Sequence, residues 1–203
     1  MASADDTRAC NLALRHLSVS KTIQNITTEQ SEEASACRDF LDFAKEEVLR
    51  DFAHPFTTKT ATLGLVEEDP TTEYAYSYRY PSDCVMFRRI ISGIRRENRQ
   101  SKVHYRIAQD TTGKLIYTDE ADAVCEYSAL DTSLARWPID LVMALALLMA
   151  SYIAPSVTDG DPFKLGERAM KLYILSKTKA EANAVNEEQP EEEAESEFTR
   201  GRE

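Results

Sequence analysis

The fold is decided by the stretch IDLVMALALLMASYIA, which runs from Ile139 to Ala154 directly after Trp137-Pro138. After Asp140 it carries no charge up to Pro155, a run of about 14 residues, whereas a helix that crosses a bilayer needs ~20. Its apolar residues fall on nearly all sides of a helix, which is typical of a helix buried on more than one side. We therefore predict a helix over 138–154 at the centre of a protein core, and no membrane contact.

The segments on either side predict three further helices, because apolar residues recur there at steps of three and four. One lies near 5–17, and another over 28–53, where the proline of His54-Pro55 ends it. The last lies near 162–184. We expect residues 1–56 and 129–185 to form a helical bundle around the apolar helix.

Residues 57–128 have a different composition, rich in Thr, Tyr, Val and Ile, with turn residues at short intervals. This pattern indicates short antiparallel strands. We place six, near 57–65, 73–80, 84–92, 103–109, 114–119 and 122–128, with Gly113 in a hairpin turn. The predicted fold class is therefore α+β: mainly a helical bundle, with a small antiparallel β element inserted at 57–128.

The charge of the chain is concentrated at one end. Of the net charge of −11, residues 186–203 contribute −6, because eight glutamates stand there against Arg200 and Arg202. A segment so polar cannot bury enough apolar surface to offset chain entropy. We predict that 186–203 is a disordered acidic tail.

No pattern of residues indicates an enzyme, a metal site or a cofactor. The sequence has no glycine-rich phosphate loop, no nucleophile elbow and no His-Glu-x-x-His. The cysteines Cys10, Cys37, Cys84 and Cys125 are widely spaced, which predicts reduced core residues in a reducing compartment, the cytoplasm. The N-terminal residues have no basic region followed by an apolar run, so we expect no secretory signal.

Two constellations have a chemical interpretation as well as a structural one. Asp39, Asp42 and Glu46 share a helix face and could surround a metal ion. Because Arg38, Lys45 and Arg50 are interleaved with them, a salt-bridged solvated face is the better interpretation. Similarly, Cys84 and His104 could form a thiol–imidazole pair, but a cysteine in an apolar strand favours packing.

A basic segment extends from Arg79 to Arg106, with a net charge of +6 in 28 residues. Its central cations flank the connection between the third and fourth predicted strands, so we expect them to project from a loop. The candidates for a surface that faces DNA or a lumen are Arg88, Arg89, Arg95, Arg96, Arg99 and Lys102. A solubilising or acid-binding hairpin tip is the equal alternative.

Tyrosines alternate along the second predicted strand, at Tyr74, Tyr76, Tyr78 and Tyr80. Period two places all four rings on one face of a strand. They could stack on bases, but packing against a helix or a neighbouring subunit is favoured. We therefore predict that these four tyrosines lie at a subunit or partner interface.

Four blocks of the sequence resemble the head-to-tail adaptor proteins of tailed bacteriophages, also called connector, head-completion or tail tubular A-type proteins. The blocks are ACNLALRHL at 9–17; ACRDF at 36–40 continuing through VLRDF at 48–52 to His54-Pro55-Phe56; YRYPSDC at 78–84; and LIYTD at 115–119 leading through Tyr127 to Trp137-Pro138.

The resemblance implies a structural virion protein at the portal vertex of the capsid, made in the cytoplasm of the bacterial host. It implies a homo-oligomeric ring, typically a dodecamer of twelve copies, between the portal ring and a tail or nozzle protein, with a channel that passes genomic DNA. We expect the last helix and the tail to dock on the portal through Leu165, Leu172, Tyr173, Glu191, Glu192, Glu193 and Phe198.

Two other functions stay open at this point. One is a sequence-tolerant nucleic-acid-binding protein that uses the basic 88–106 loop. The other is a hydrolase with no recognisable motif.

Overall fold

The structure is a computed structural model that describes residues 4–94, 102–158 and 161–187. The chain divides into two compact units. The helical unit comprises the residues up to Thr57 together with Leu130–Glu187, and the β unit is Thr58–Ala129. The helices are α1 Ala4–His16, α2 Glu32–Asp51, α3 Ile139–Val157 and α4 Pro162–Glu187. The strands are β1 Thr58–Thr62, β2 Leu65–Glu68, β3 Tyr76–Arg79, β4 Cys84–Ile91, β5 Tyr105–Gln109, β6 Lys114–Thr118 and β7 Val124–Ala129.

The chain is α+β, but the prediction of a mainly helical bundle with a small β element is wrong. Seven strands form two antiparallel sheets, and 21% of the chain is strand. The first predicted strand, 57–65, corresponds to β1, which ends at Thr62, and β2 at Leu65–Glu68 is a strand that the sequence did not predict. Each goes to a different sheet, because β1 pairs with β7 while β2 pairs with β3.

Helix α3 is the core of the helical unit. Ten of its residues are buried, and α1, α2 and α4 all pack against it. By length and composition α3 would also suit a membrane span, the only such helix in the described part of the chain. Burial by three helices accounts for the same composition.

Three helix ends differ from the sequence-based boundaries. Helix α2 begins at Glu32 rather than at residue 28, because the Ser31 hydroxyl accepts a hydrogen bond from the Ala34 amide and caps it. Glu29 lies before the helix and accepts hydrogen bonds from the Gln24 amide and the Ser31 hydroxyl. Helix α3 continues past Pro155 to Val157, and α4 continues to Glu187.

A buried ion pair joins α1 to α2. The Lys45 ammonium lies 2.6 Å from the Asp6 carboxylate, and both side chains are only 4% exposed. Lys45 also donates to the carbonyl oxygen of Thr132, at 3.2 Å, in the segment that leads to α3. Three parts of the helical unit therefore meet at one ammonium group.

Helix α4 lies very close to α3 at Gly166. A Cβ atom at that position would be 3.3 Å from the Ser151 carbonyl oxygen and 3.5 Å from the Ala154 Cβ. The side chains of α4 that face α3 are mostly small as well, and Tyr173 is the one large buried side chain among them. Helix α4 is therefore an integral part of its own unit.

The two sheets of the β unit share one core. Their strand orders are β1-β7-β4 and β2-β3-β6-β5, with every pairing antiparallel. Tyr78 and Ile116 from one sheet pack with Phe87, Ile90 and Tyr127 from the other. The Tyr78 hydroxyl donates to the carbonyl oxygen of Glu120 and accepts from the Ala123 amide, which holds the β6–β7 connection on this core.

Replacing Lys45 by Met should destabilise the helical unit by about 3–5 kcal/mol, because the buried carboxylate of Asp6 would lose the ammonium group that compensates its charge. Urea unfolding followed by circular dichroism at the helical band measures the change. Adding Asp6→Leu should restore most of the loss.

The matched control is Lys59→Met, which breaks an exposed ion pair with Asp83 and should cost below about 1 kcal/mol. Equal losses for the two lysine variants would contradict the structural role of the buried pair.

Candidate functional site

Arg88 and Arg89, two of the candidates for a surface that faces DNA or a lumen, do not project from a loop. Arg88 and Arg89 lie within β4, and a β-bulge between Phe87 and Arg89 inserts Arg88 as an extra residue. The bulge brings both guanidinium groups to Glu126 on β7, at 3.7 Å from Arg88 and 3.0 Å from Arg89. The loop prediction is wrong for these two residues, because cross-strand pairing places them in the sheet.

The other described arginines of the segment are also paired. Arg79 donates to both carboxylate oxygens of Asp110, at 3.1 and 3.0 Å. Arg106 lies 3.6 Å from Glu73. Among the described residues, Lys102 is exposed and has no ion partner. Arg95, Arg96 and Arg99 lie outside the described residues.

The β unit is therefore not basic as a whole. Residues 58–129 contain ten Lys and Arg residues and eleven Asp and Glu residues, a net charge of −1. Phosphate binding depends on cations that are free to replace counterions. Ion pairs within the β unit already engage four of the arginines.

The tyrosines predicted at an interface pack mainly inside the β unit. Tyr78 is only 2% exposed and lies in the core, and Tyr76 and Tyr80 pack against that core. Tyr74 precedes β3, and its ring stacks on that of Tyr117, 6.1 Å away. Because Tyr117 pairs with Ser77, Tyr74 lies on the opposite face of the sheet from Tyr78.

The interface prediction is therefore wrong for Tyr78. It fails because β3 lies between β2 and β6, with the second sheet covering the Tyr78 face. The period-two argument also fails for Tyr74, because the chain is not yet extended strand at that position.

Helix α4 presents its predicted docking residues in different ways. Tyr173 is buried, and its hydroxyl donates to Asp51 of α2 at 2.8 Å, so it holds α4 in place and is not available to a partner. Leu165 is half-buried and Leu172 is partly exposed. Glu191, Glu192, Glu193 and Phe198 lie outside the described residues.

A polar seam joins α2 to α3 and α4. The Tyr152 hydroxyl donates to Glu47, and Asp51 accepts from both Tyr173 and Lys177. Burial first, and then the nearby carboxylates, raise the pKa of both tyrosines. The phenols therefore act as neutral donors that fix the three helices.

The acidic face of α2 is not salt-bridged, which corrects the interpretation made from the sequence. Lys45 points inward to Asp6, and Arg38 donates to the carbonyl oxygens of Ile26 and Glu29. In the described part of the chain, no ion pair engages Asp39 or its neighbours Asp42 and Glu46. No group of three or more potential metal ligands occurs among the described residues either.

Among the described residues, neither the cysteines nor the surface depression of the helical unit brings a nucleophilic side chain next to a base. All four cysteines are free thiols, and burial raises the pKa of Cys84 and Cys125. A shallow depression in the helical unit is lined by His54, Phe56, Leu141 and Ala184 among others, with no serine, threonine, cysteine or lysine. The polar side chains that line this depression are those of His54, Asp140, Asn183 and Glu187.

No protein-family model matches the chain, and no curated protein sequence is significantly similar to it.

Replacing Arg79 by Gln should raise the pKa of Asp110 from about 2 towards its ordinary value of 3.8. The Arg79 guanidinium is the main cause of the lowered pKa, and the amides of Thr112 and Gly113 add to it. Because the folded-state pKa is lowered, the stabilising contribution is present above about pH 4 and is lost as pH falls towards 2. An NMR titration of the Asp110 carboxyl carbon measures the pKa directly.

Arg106→Gln is the control and should leave the titration of Asp110 unchanged, since Arg106 pairs with Glu73. A midpoint that does not move in the Arg79 variant would refute this account of the hairpin.

Proposed function

We propose that this chain is a head-to-tail adaptor, a structural virion protein that forms a ring between the portal and the tail of a bacteriophage. The observation that carries the proposal is a row of large apolar side chains on the outside of α4. Phe163, Met170 and Ile174 are 81%, 38% and 53% exposed. Their spacing of seven and four residues puts them on one side of the helix.

Such a row is typical of a surface that a partner covers. Helix α4 cannot easily leave its unit to reach that partner, because Tyr173 and the close approach at Gly166 hold it against α2 and α3. We therefore propose docking on the portal through the outward row of α4 in place. This differs from the docking predicted from the sequence, in which Tyr173 was one of the residues that contact the portal.

The resemblance to adaptor proteins supplies the class of partner. Its four blocks lie in α1, in α2, across β3 and β4, and from β6 to the start of α3, so that they draw on both units. The proposed ring surrounds a channel for DNA at the portal vertex, with a tail or nozzle protein on its far side. Residues 186–203 would add negative charge for a basic portal surface.

The two alternative functions have less support. A nucleic-acid-binding protein would use unpaired cations, and Arg79, Arg88, Arg89 and Arg106 are engaged in ion pairs. A hydrolase would need converging catalytic groups, and the described residues offer no such cluster around Cys84 or the carboxylates of α2.

Purified chain mixed with rings of its cognate portal protein should form a stoichiometric, closed, ring-sized complex, with about twelve copies as the resemblance to adaptor proteins implies. Native mass spectrometry counts the copies. Phe163→Ser with Ile174→Ser should weaken attachment about tenfold or more, since two large apolar side chains would no longer be buried.

Leu65→Ser with Val66→Ser is the matched control, because it removes two exposed apolar side chains from β2 in the other unit. It should leave attachment unchanged. The proposal fails if the unaltered chain forms no ring-sized complex with the portal.

A further inference from the structure

Helix α2 exposes an acidic row that contains a large apolar side chain. Phe43 is 62% exposed, and it lies among the exposed Asp39, Asp42 and Glu46. Two cations of α2 are used elsewhere, because Lys45 is buried with Asp6 and Arg38 binds two carbonyl oxygens, while the exposed Arg50 lies on the same side near the C-terminal end of the helix, seven residues after Phe43. The surface of α2 is consequently negative around an apolar centre.

Helix α4 exposes the opposite arrangement on the side away from α2. Leu175 is 68% exposed. The exposed cations on the same side of the helix are Lys164, Arg168, Lys171 and Lys179. Within the described chain, Lys171 alone of these four has an ion partner, the exposed Glu167 one turn away, a pairing that contributes little.

The two rows match in spacing as well as in charge. Asp39 and Glu46 lie four residues before and three after Phe43, and Lys171 and Lys179 lie four residues before and after Leu175. At the helical rise, each flanking charge is about 5–6 Å along the axis from the apolar side chain. If Phe43 packed on Leu175 from another molecule, carboxylates and ammonium groups would face each other on both sides.

One copy of the chain cannot bring these rows together. Tyr173 and Lys177 both bond Asp51, so they mark the side of α4 that faces α2. Leu175 lies about 160° around the helix from Lys177, at 3.6 residues per turn. The acidic row likewise lies on the side of α2 away from the buried Leu41, Ala44 and Val48. The partner of each row must therefore come from a second molecule.

We infer that copies of this chain join head to tail, with the α2 row of one copy against the α4 row of the next. Two different complementary surfaces make a heterologous contact, which generates a ring when the rotation closes. The inference deepens the proposed function and rests on it for the closure of that ring. The contact has few apolar side chains, so it should be weak between free copies and sensitive to salt.

Charge reversal tests the inference in the full chain. The acid-reversed variant carries Asp39→Lys, Asp42→Lys and Glu46→Lys. The base-reversed variant carries Arg168→Glu, Lys171→Glu and Lys179→Glu. Each variant alone should lose association by about tenfold or more, because like charges then meet at every contact. An equimolar mixture should associate again, since each variant complements the other at both of its surfaces.

Sedimentation equilibrium of the free chain at low salt, up to about millimolar concentration, measures the self-association constant. The control variant carries Glu67→Lys, Glu68→Lys and Glu73→Lys, which changes the charge equally at exposed positions of the β unit. It should associate like the unaltered chain. The same variants are then counted on portal rings by native mass spectrometry.

The outcomes separate this inference from the proposed function. Association restored in the mixture supports the α2–α4 contact even if portal rings are not bound, and the adaptor proposal alone would then fail. If the reversed variants associate and fill portal rings like the unaltered chain, the adaptor proposal stands and the contact is refuted. A chain that stays monomeric both in free solution and on portal rings also refutes the contact.

Discussion

The helical unit depends on one constraint, which is that the middle of α3, where every residue from 144 to 150 is buried, must be covered on all sides. Its buried residues occur all round the helix, so α1, α2 and α4 must each give up a face to cover it. Covering it encloses Lys45 of α2, whose ammonium group then requires a buried acceptor. Asp6 on α1 supplies a carboxylate at 2.6 Å. The geometry of the ion pair thus follows from the burial of an apolar helix to which neither residue belongs.

The charge that the surface exposes also depends on which cations point inward. With Lys45 and Arg38 both directed to buried or backbone acceptors, Arg50 is the one exposed cation near the carboxylates Asp39, Asp42 and Glu46 of α2. In the β unit, pairing has the opposite effect, because Glu126 and Asp110 engage arginines that would otherwise make a positive patch. The charge that a partner would meet is therefore set by long-range pairs, and the order of residues along the chain is a poor guide to it.

Local periodicity was enough to predict the four helices and most of the strands, because each such element repeats its own pattern. Features that depend on residues far apart in the sequence could not be predicted from local periodicity. The end of β1 at Thr62 and the separate strand β2 at Leu65–Glu68 depend on pairing with β7 and β3. The burial of Tyr78 requires a second sheet, and the meeting of Arg88 and Arg89 at Glu126 requires a bulge. At the candidate surfaces, the sequence led to the prediction that α4 is a docking element, but it did not show that Tyr173 faces inward. The sequence also identified the acidic residues of α2, but it did not show that Lys45 and Arg38 bond to other groups.

Helix α4 lies at the surface, yet apolar and charged side chains occupy much of its circumference. Its small residues and Tyr173 face α3 and α2, Phe163, Met170 and Ile174 form one exposed row, and Leu175 lies among cations on another side. A ring subunit that docks on a portal needs one surface for each of these contacts. A heterologous contact that is strong in free solution would polymerise the chain away from the portal. The proposed weak, charge-rich contact would avoid this. Docking through the first row would raise the local concentration of neighbouring copies, and only then would the second contact become favourable.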